Sequence, residues 1–266
     1  MGAGVRRSPA HSGDLILGRH AVLEVLQAGR RRVSRVLVGE NVRETAVVGR
    51  ILSLADQRGV KVERVGQERL QGEDGKSHGV AAEAEPYPYV GLADISLVAE
   101  ARGEAPLILF LDELQDPQNV GTLLRTAEAA GVHGVVLPYR RAAGITPAVV
   151  RASAGACEHL LIAAENLAGA IQRVRDDGVL AVGLESAVGA RPLEQIDLAA
   201  PLALVVGSEG SGLRRLVRER CDVLAGLPLR GRAGSLNAAV AGSIALYLTW
   251  ARRHAGASAI DAPWES

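Results

Sequence analysis

LILFLDELQDPQNVGTLLRTAEAAGVHGVVLP, residues 107–138, decides how this chain folds. LILFLD is an unbroken apolar run of strand length, and GVVLP at 134–138 has the same character. Between them, over 119–130, apolar residues recur at helical spacing. Strand, helix and strand in that order predict a parallel pair joined by a crossover. The alternation continues: NLAGAIQRVRDDG (166–178) reads as a helix, VLAVGLE (179–185) as a strand and LALVVGSEG (202–210) as another. The expected architecture over 105–260 is an α/β domain with a mostly parallel sheet covered on both faces.

Towards the N-terminus, residues 14–84 read as a smaller α/β unit. AVLEVLQAG (21–29) is helical with a glycine stop, VSRVLVGE (33–40) is a strand, ETAVVGRILSLADQRG (44–59) a second helix and VKVERV (60–65) another strand. The segment 85–104 carries Pro86 and Pro88 and little periodicity until its end, and reads as a linker. Residues 1–13 have arginines but no apolar stretch, so they read as a flexible tail and not a signal peptide. No internal repeat is found.

With 30 basic and 30 acidic residues among 266 the net charge is zero, which argues against a polyelectrolyte-type nucleic-acid binder. The 48% hydrophobic content supports a sizeable core, and 3% aromatic content argues against stacking several unstacked bases. Two distant cysteines, Cys157 and Cys221, and scattered histidines form no metal-ligand spacing, so no metal is expected. The longest apolar stretch, 236–250, is too short to span a membrane, and a cytoplasmic location is expected. Lysine occurs only at Lys61 and Lys76, so phosphate or carboxylate recognition must fall to arginine. Seven arginines within residues 1–36, Arg30, Arg31 and Arg32 among them, face two acids there and suggest a phosphate-facing or merely solvated basic edge.

Three segments look unlike scaffold. In DPQNVGTLLRTAEAAG (116–131), Asn119 opens a helix at the C-terminal end of a strand, where open α/β sheets bind ligands, with Arg125 two turns on. On spacing alone Asn119 could equally cap the helix and Arg125 pair with Glu128. In LALVVGSEGSGLRRLVRERCD (202–222), Gly207, Gly210 and Gly212 allow close backbone approach. Glu209 among them suits a ribose or an amine better than a phosphate. In LPLRGRAGSLNAAVAGSIALY (227–247), Ser235 is the expected N-cap of a final helix, with Asn237 in its first turn. GKSHG (75–79) matches the serine-hydrolase pattern, but no apolar strand precedes it and it reads as a chance match.

NVGTLLRTA, VVGSEGSGL and LPLRGRAGSLNAA, in this order, resemble the SpoU (TrmH) family of RNA ribose 2′-O-methyltransferases in the SPOUT superfamily. LGRHAVLEVLQAG, HGVAAE and ITPAVVRASAGACEHL are similar to its bacterial 23S rRNA guanosine subgroup. The resemblance spans about residues 14–254. It implies a SPOUT-type α/β domain with a C-terminal trefoil knot, preceded by a small RNA-binding domain. It also implies S-adenosyl-L-methionine as methyl donor, a homodimer, and 23S rRNA or a ribosomal precursor as partner.

Carried over by position, Asn119, Arg125, Glu209 and Asn237 would be catalytic, and Gly207, Leu227, Leu229, Ser235 and Leu236 would bind the cofactor. Leu229 stands where the family usually has methionine, and Ala238 where valine is common. The expected reaction is methyl transfer to the ribose 2′-hydroxyl of a guanosine in 23S rRNA, within the peptidyl-transferase P loop. Arg125 is expected to orient the target phosphate and stabilise developing charge. The alternatives are tRNA or another rRNA nucleotide as target, or a non-catalytic RNA-binding ribosome-assembly factor.

Overall fold

The computed structural model describes residues 13–70, 79–186, 189–232 and 234–255. The tail expected at 1–13 and the GKSHG match therefore lie almost wholly outside the described residues. The chain divides into two compact units between Pro88 and Tyr89.

The first unit runs β1 (Asp14–Leu17), α1 (Arg19–Ala28), β2 (Val33–Gly39), α2 (Ala46–Gln57), β3 (Lys61–Val65) and β4 (Val80–Ala84). Its sheet has the order β1-β4-β2-β3, with β2 and β3 parallel and β4 antiparallel to both its neighbours. Gly29 ends α1 in the left-handed conformation, its N–H donating to the Val25 carbonyl at 3.2 Å, as the glycine stop predicts. Thr45 caps α2. The two helices pack on each other, while Leu17, Leu37, Val65, Leu70 and Ala81 form a separate apolar cluster.

The second unit runs α3 (Leu92–Arg102), β5 (Leu107–Leu111), α4 (Pro117–Ala129), β6 (Gly134–Pro138), α5 (Pro147–Ala152), β7 (Ile162–Glu165), α6 (Leu167–Asp176), β8 (Leu180–Leu184), β9 (Arg191–Pro192), β10 (Leu202–Val206), α7 (Arg215–Arg220), β11 (Val223–Gly226) and α8 (Ala238–Arg253). Its seven strands pair in the order β7-β6-β5-β10-β8-β11-β9, every pairing parallel. β5 and β10 are buried along their whole length, which is why they read as continuous apolar runs.

The stretch expected as a linker, 85–104, instead contains α3. Leu92, Ile95 and Ala99 are buried at helical spacing, and Leu92 and Ile95 join the core of Ile108, Phe110 and Val136. The Asp94 carboxylate accepts from the Gly91 N–H at 2.8 Å and starts the helix. Pro86 and Pro88 precede this helix and do not interrupt it, so the proline cluster marks the boundary and not a long connection.

Because β5, β10, β8 and β11 are neighbours and parallel, their C-terminal ends form one edge. That edge gathers Asp112, Gly207, Glu185 and Leu227, the residues immediately following these strands. α8 packs against α4. A side chain at Gly242 would overlap Leu123 and crowd Val206, so the small residues of α8 serve close helix packing here.

Candidate active site

Directly after β10 the chain makes a tight turn. Ser208 and Gly212 exchange both backbone hydrogen bonds, at 3.1 and 3.0 Å. Gly210 and Gly212 occupy the left-handed positions, at φ 82° and 65°. A Cβ at the buried Gly207 would overlap the backbone of Gly212 and Leu213. This segment can therefore close only with glycine at these places, and closure puts Glu209 at the exposed corner.

Three chain segments meet at that corner. Asn119 Nδ2 donates to Glu209 Oε1 at 3.0 Å. Asn237 Nδ2 donates to the same Glu209 oxygen and to Asn119 Oδ1, the latter at 3.2 Å. Asn237 Oδ1 accepts from the N–H groups of Ala239 and Val240 at 2.9 and 3.1 Å, so Asn237 is the N-cap of α8. The N-cap expected at Ser235 is thus two residues later, because Asn237 has the first side-chain oxygen that reaches the free N–H groups of the helix. Asn119 does not cap α4: that role belongs to Asp116, which accepts from the Gln118 N–H at 2.9 Å. Its side chain is left for the cluster.

Beside this corner is a cavity of about 290 Å³. Gly207, Leu227, Leu229, Ser235 and Leu236 all lie on its wall, together with Glu209. Glu185, at the end of β8, adds a second carboxylate, held by Arg218 Nε at 3.0 Å. Neither arginine nor lysine lines the cavity among the described residues. A wall of glycine backbone, leucines and two carboxylates suits a ligand with a cationic centre and hydroxyl or amine donors. It does not suit a bare phosphate.

Arg125 is not brought into the cluster. It lies six residues beyond Asn119 on α4, about a third of a turn around the axis, and is exposed. It has no hydrogen-bond or ion-pair partner among the described residues, so the pairing with Glu128 is not formed. On the face of α4 that Asn119 shares, Thr126 Oγ1 meets Ser243 Oγ of α8 at 2.9 Å.

Two acids at this edge went unread in the sequence. Asp112, fully buried, accepts from the backbone N–H and Nε of Arg214 at 2.8 and 2.6 Å and ties β5 to the glycine turn. Glu185 is the other. Each ends an apolar strand run, LILFLD and VLAVGLE, and that position was the available signal. The cysteines supply no nucleophile: Cys157 is buried, and burial pushes the Cys221 thiol up to about 12. Among the described residues no group of three or more His, Cys, Asp or Glu is placed to hold a metal, and no helix is long and apolar enough to cross a membrane.

Comparison with known proteins bears on both units. Residues 106–247 match the SpoU rRNA Methylase family, and residues 15–90 match the domain described as RNA 2′-O ribose methyltransferase substrate binding. A relative from Bacillus subtilis (strain 168), which carries the name TrmH family tRNA/rRNA methyltransferase YacO, is 38% identical over 91% of this chain and 96% of its own. The SpoU methyltransferase AviRb from Streptomyces viridochromogenes superposes with a TM-score of 0.77 at 25% identity, covering 92% of this chain and 91% of that one. An rRNA methyltransferase from Sinorhizobium meliloti, solved with AdoMet bound, superposes with a TM-score of 0.71 at 27% identity, covering 91% and 88%.

Proposed function

The chain belongs to the SpoU rRNA methylase family, and from that premise we propose that this RNA 2′-O-ribose methyltransferase acts on a guanosine of 23S rRNA, in the peptidyl-transferase P loop. The observation that carries the reading is the hydrogen-bonded set Asn119–Glu209–Asn237 standing beside a cavity whose wall is acidic and rich in glycine. S-adenosylmethionine is the methyl donor, and its sulfonium supplies an activated methyl carbon. Gly207, Leu227, Leu229, Ser235 and Leu236 would hold it by backbone groups and apolar contact, with Glu185 and Glu209 offering carboxylates to its cationic end.

Glu209 has one oxygen committed to the two asparagines, and its other oxygen is left to accept a hydrogen bond from the ribose. Asn119 and Asn237 keep that carboxylate from turning. A hydroxyl is a weak nucleophile, so alignment in line with the methyl carbon is the main task, and fixed groups can supply much of the rate. Arg125, exposed and unpartnered among the described residues, binds the target phosphate and stabilises the charge that develops on the 2′-oxygen.

The active form in this reading is a homodimer. Val240, Ile244, Tyr247 and Leu248 make an exposed apolar stripe along α8, which supports a second copy as its cover. The trefoil-knotted path of the C-terminal segment belongs to the same reading, supported by the likeness to a solved SpoU enzyme over 92% of this chain. So does a cytoplasmic location, where ribosomal precursors are processed.

The test is nucleoside mass spectrometry after incubation with labelled S-adenosylmethionine and an unmodified 23S transcript. Labelled 2′-O-methylguanosine is expected. Label on another 2′-O-methylnucleoside, or only when tRNA or a ribosomal precursor replaces the transcript, would overturn the corresponding part of the assignment. Cofactor binding with no label on any RNA would favour a non-catalytic assembly factor.

A further inference from the structure

The same sheet edge carries an aromatic side chain that neither the cavity nor the Asn119–Glu209–Asn237 cluster uses. Tyr139, directly after β6, is 69% exposed and has no hydrogen bond or ring contact among the described residues. Arg140 and Arg141 follow it, both exposed. Arg140 has no partner among the described residues.

The loop that presents these side chains is pinned at several points. Arg141, at φ 62°, places its guanidinium 3.7 Å from Glu113 Oε1, and Glu113 is itself left-handed at φ 54°. The Ala143 N–H donates to the Leu114 carbonyl at 2.9 Å, and the Ile145 N–H donates to the Tyr89 hydroxyl at 2.7 Å. Non-glycine residues hold the left-handed conformation only where their surroundings over-determine it, and such positions gather at ligand sites. Two of the three in the described residues face each other here. Glu113 also lines a second cavity, of about 340 Å³, with Asn119, Ser208 and Glu209. The loop therefore adjoins the place where the ribose would sit.

A single exposed tyrosine is ordinary on a protein surface. A ring followed directly in the chain by two exposed arginines, on a pinned loop beside a ribose site, is a different object. Its face can take the π-face of one base, and its neighbours can take the phosphates on either side. The Arg141–Glu113 contact is long and Arg141 itself is exposed, and Arg214 Nη1 also lies 3.5 Å from the same Glu113 oxygen, so the Arg141 guanidinium can turn to a phosphate without leaving that carboxylate alone. A base inside a duplex has no free face, so such a site selects a nucleotide already out of the stack.

We propose that Tyr139 stacks on an unpaired base next to the methylated nucleotide, with Arg140 and Arg141 on its flanking phosphates, so that the enzyme takes single-stranded loops and not duplex. This rests on the chain being an RNA ribose methyltransferase. The full-length protein should be tested with the unmodified 23S transcript, by binding and by single-turnover methyl transfer, and with a short oligouridine and a duplex of equal length as competitors.

Tyr139→Ala should weaken transcript binding roughly tenfold or more, with Tyr139→Phe close to wild type. Calorimetric binding of S-adenosylmethionine should be unchanged in both, which shows that they fold. Replacing Arg140 and Arg141 together by alanine should flatten the dependence of log affinity on log salt by about one to two. The oligouridine should compete better than the duplex. The proposal is overturned by a Tyr139→Ala protein that binds RNA as wild type does, by Phe failing as badly as Ala, or by duplex competing equally. A wild-type protein that neither binds nor methylates any RNA would sink the RNA reading itself, which is a different result.

Discussion

In residues 13–88 the arginines are largely built into the fold. Arg31, with its side chain only 1% exposed, pairs with Asp14 at 3.0 Å and donates to the Glu85 carbonyl. Arg35 bridges Glu83 and Glu63, and Arg30 donates to the Tyr87 hydroxyl with its guanidinium over that ring. In residues 89–255, Arg125, Arg140, Arg230 and Arg232 are exposed and carry no partner among the described residues, while Arg214 and Arg218 hold the acids Asp112 and Glu185. The same side chain stabilises where protein acceptors saturate its fork and is left open to an outside anion where they do not. Of the basic run Arg30–Arg32, expected together as a phosphate-facing edge, only Arg32 is exposed and without a partner among the described residues.

Substitutions can break this contrast. The largest effect is expected at Arg125: Arg125→Ala should lower single-turnover methyl transfer by about 10²–10³-fold, with the melting temperature and cofactor affinity unchanged. Arg125→Lys should be nearly as inactive, since an ammonium cannot reproduce the planar fork; activity retained with a steeper pH dependence would assign it a proton-transfer role instead. Arg31→Ala should show the opposite signature, a loss of about 3 kcal/mol in urea unfolding, because Asp14 and the Glu85 carbonyl lose a buried donor. Undiminished stability there would collapse the distinction between the two groups of arginines.

A smaller effect concerns His133, nearly buried in the second unit. Its Nδ1 accepts from the Leu107 N–H at 3.0 Å, which leaves Nε2–H to meet Glu104 at 3.0 Å. Burial holds its proton affinity below the usual range, against a smaller opposing effect of Glu104. The unfolded chain therefore takes up this proton at a higher pH than the folded one. Stability from this residue should be complete above about pH 6.5 and fall as the pH drops through the lower folded value. Denaturation at about pH 7.5 and 5.5 checks it, and His133→Asn should flatten the difference. Smallest of all, Arg32→Glu should leave stability untouched and reduce the salt slope of RNA binding by roughly one to two. An unchanged slope would remove the first unit's basic edge from the RNA path.

Much of the fold was legible because it rests on local pattern. The apolar runs at 107–111 and 202–206 are buried on both faces, and the Thr45 and Asn166 caps come where a short polar side chain precedes helical periodicity. α3 was hidden because two prolines just before it dominate the composition of its neighbourhood, although Leu92, Ile95 and Ala99 carry the helical period. The site was legible in part. Asn119, Glu209 and Asn237 were readable as polar residues out of place beside glycines and strand ends, but not as one hydrogen-bonded unit. Ser235 and Asn237 are both good capping residues, and only the path of the backbone decides between them.

By itself, the sequence determined the order of most strands and helices and the glycines on which the turn after β10 depends. Periodicity and backbone permissiveness act over a few residues, so they are written locally. Only the tertiary structure decided that three residues separated by up to 118 positions share one carboxylate oxygen. It alone decided that Arg125 stays outside that cluster, and that the Arg31 side chain is structural while that of its neighbour Arg32 has no partner among the described residues. Which acceptors surround a guanidinium depends on what parallel strand pairing and helix packing bring across long stretches of chain, and no local pattern records that.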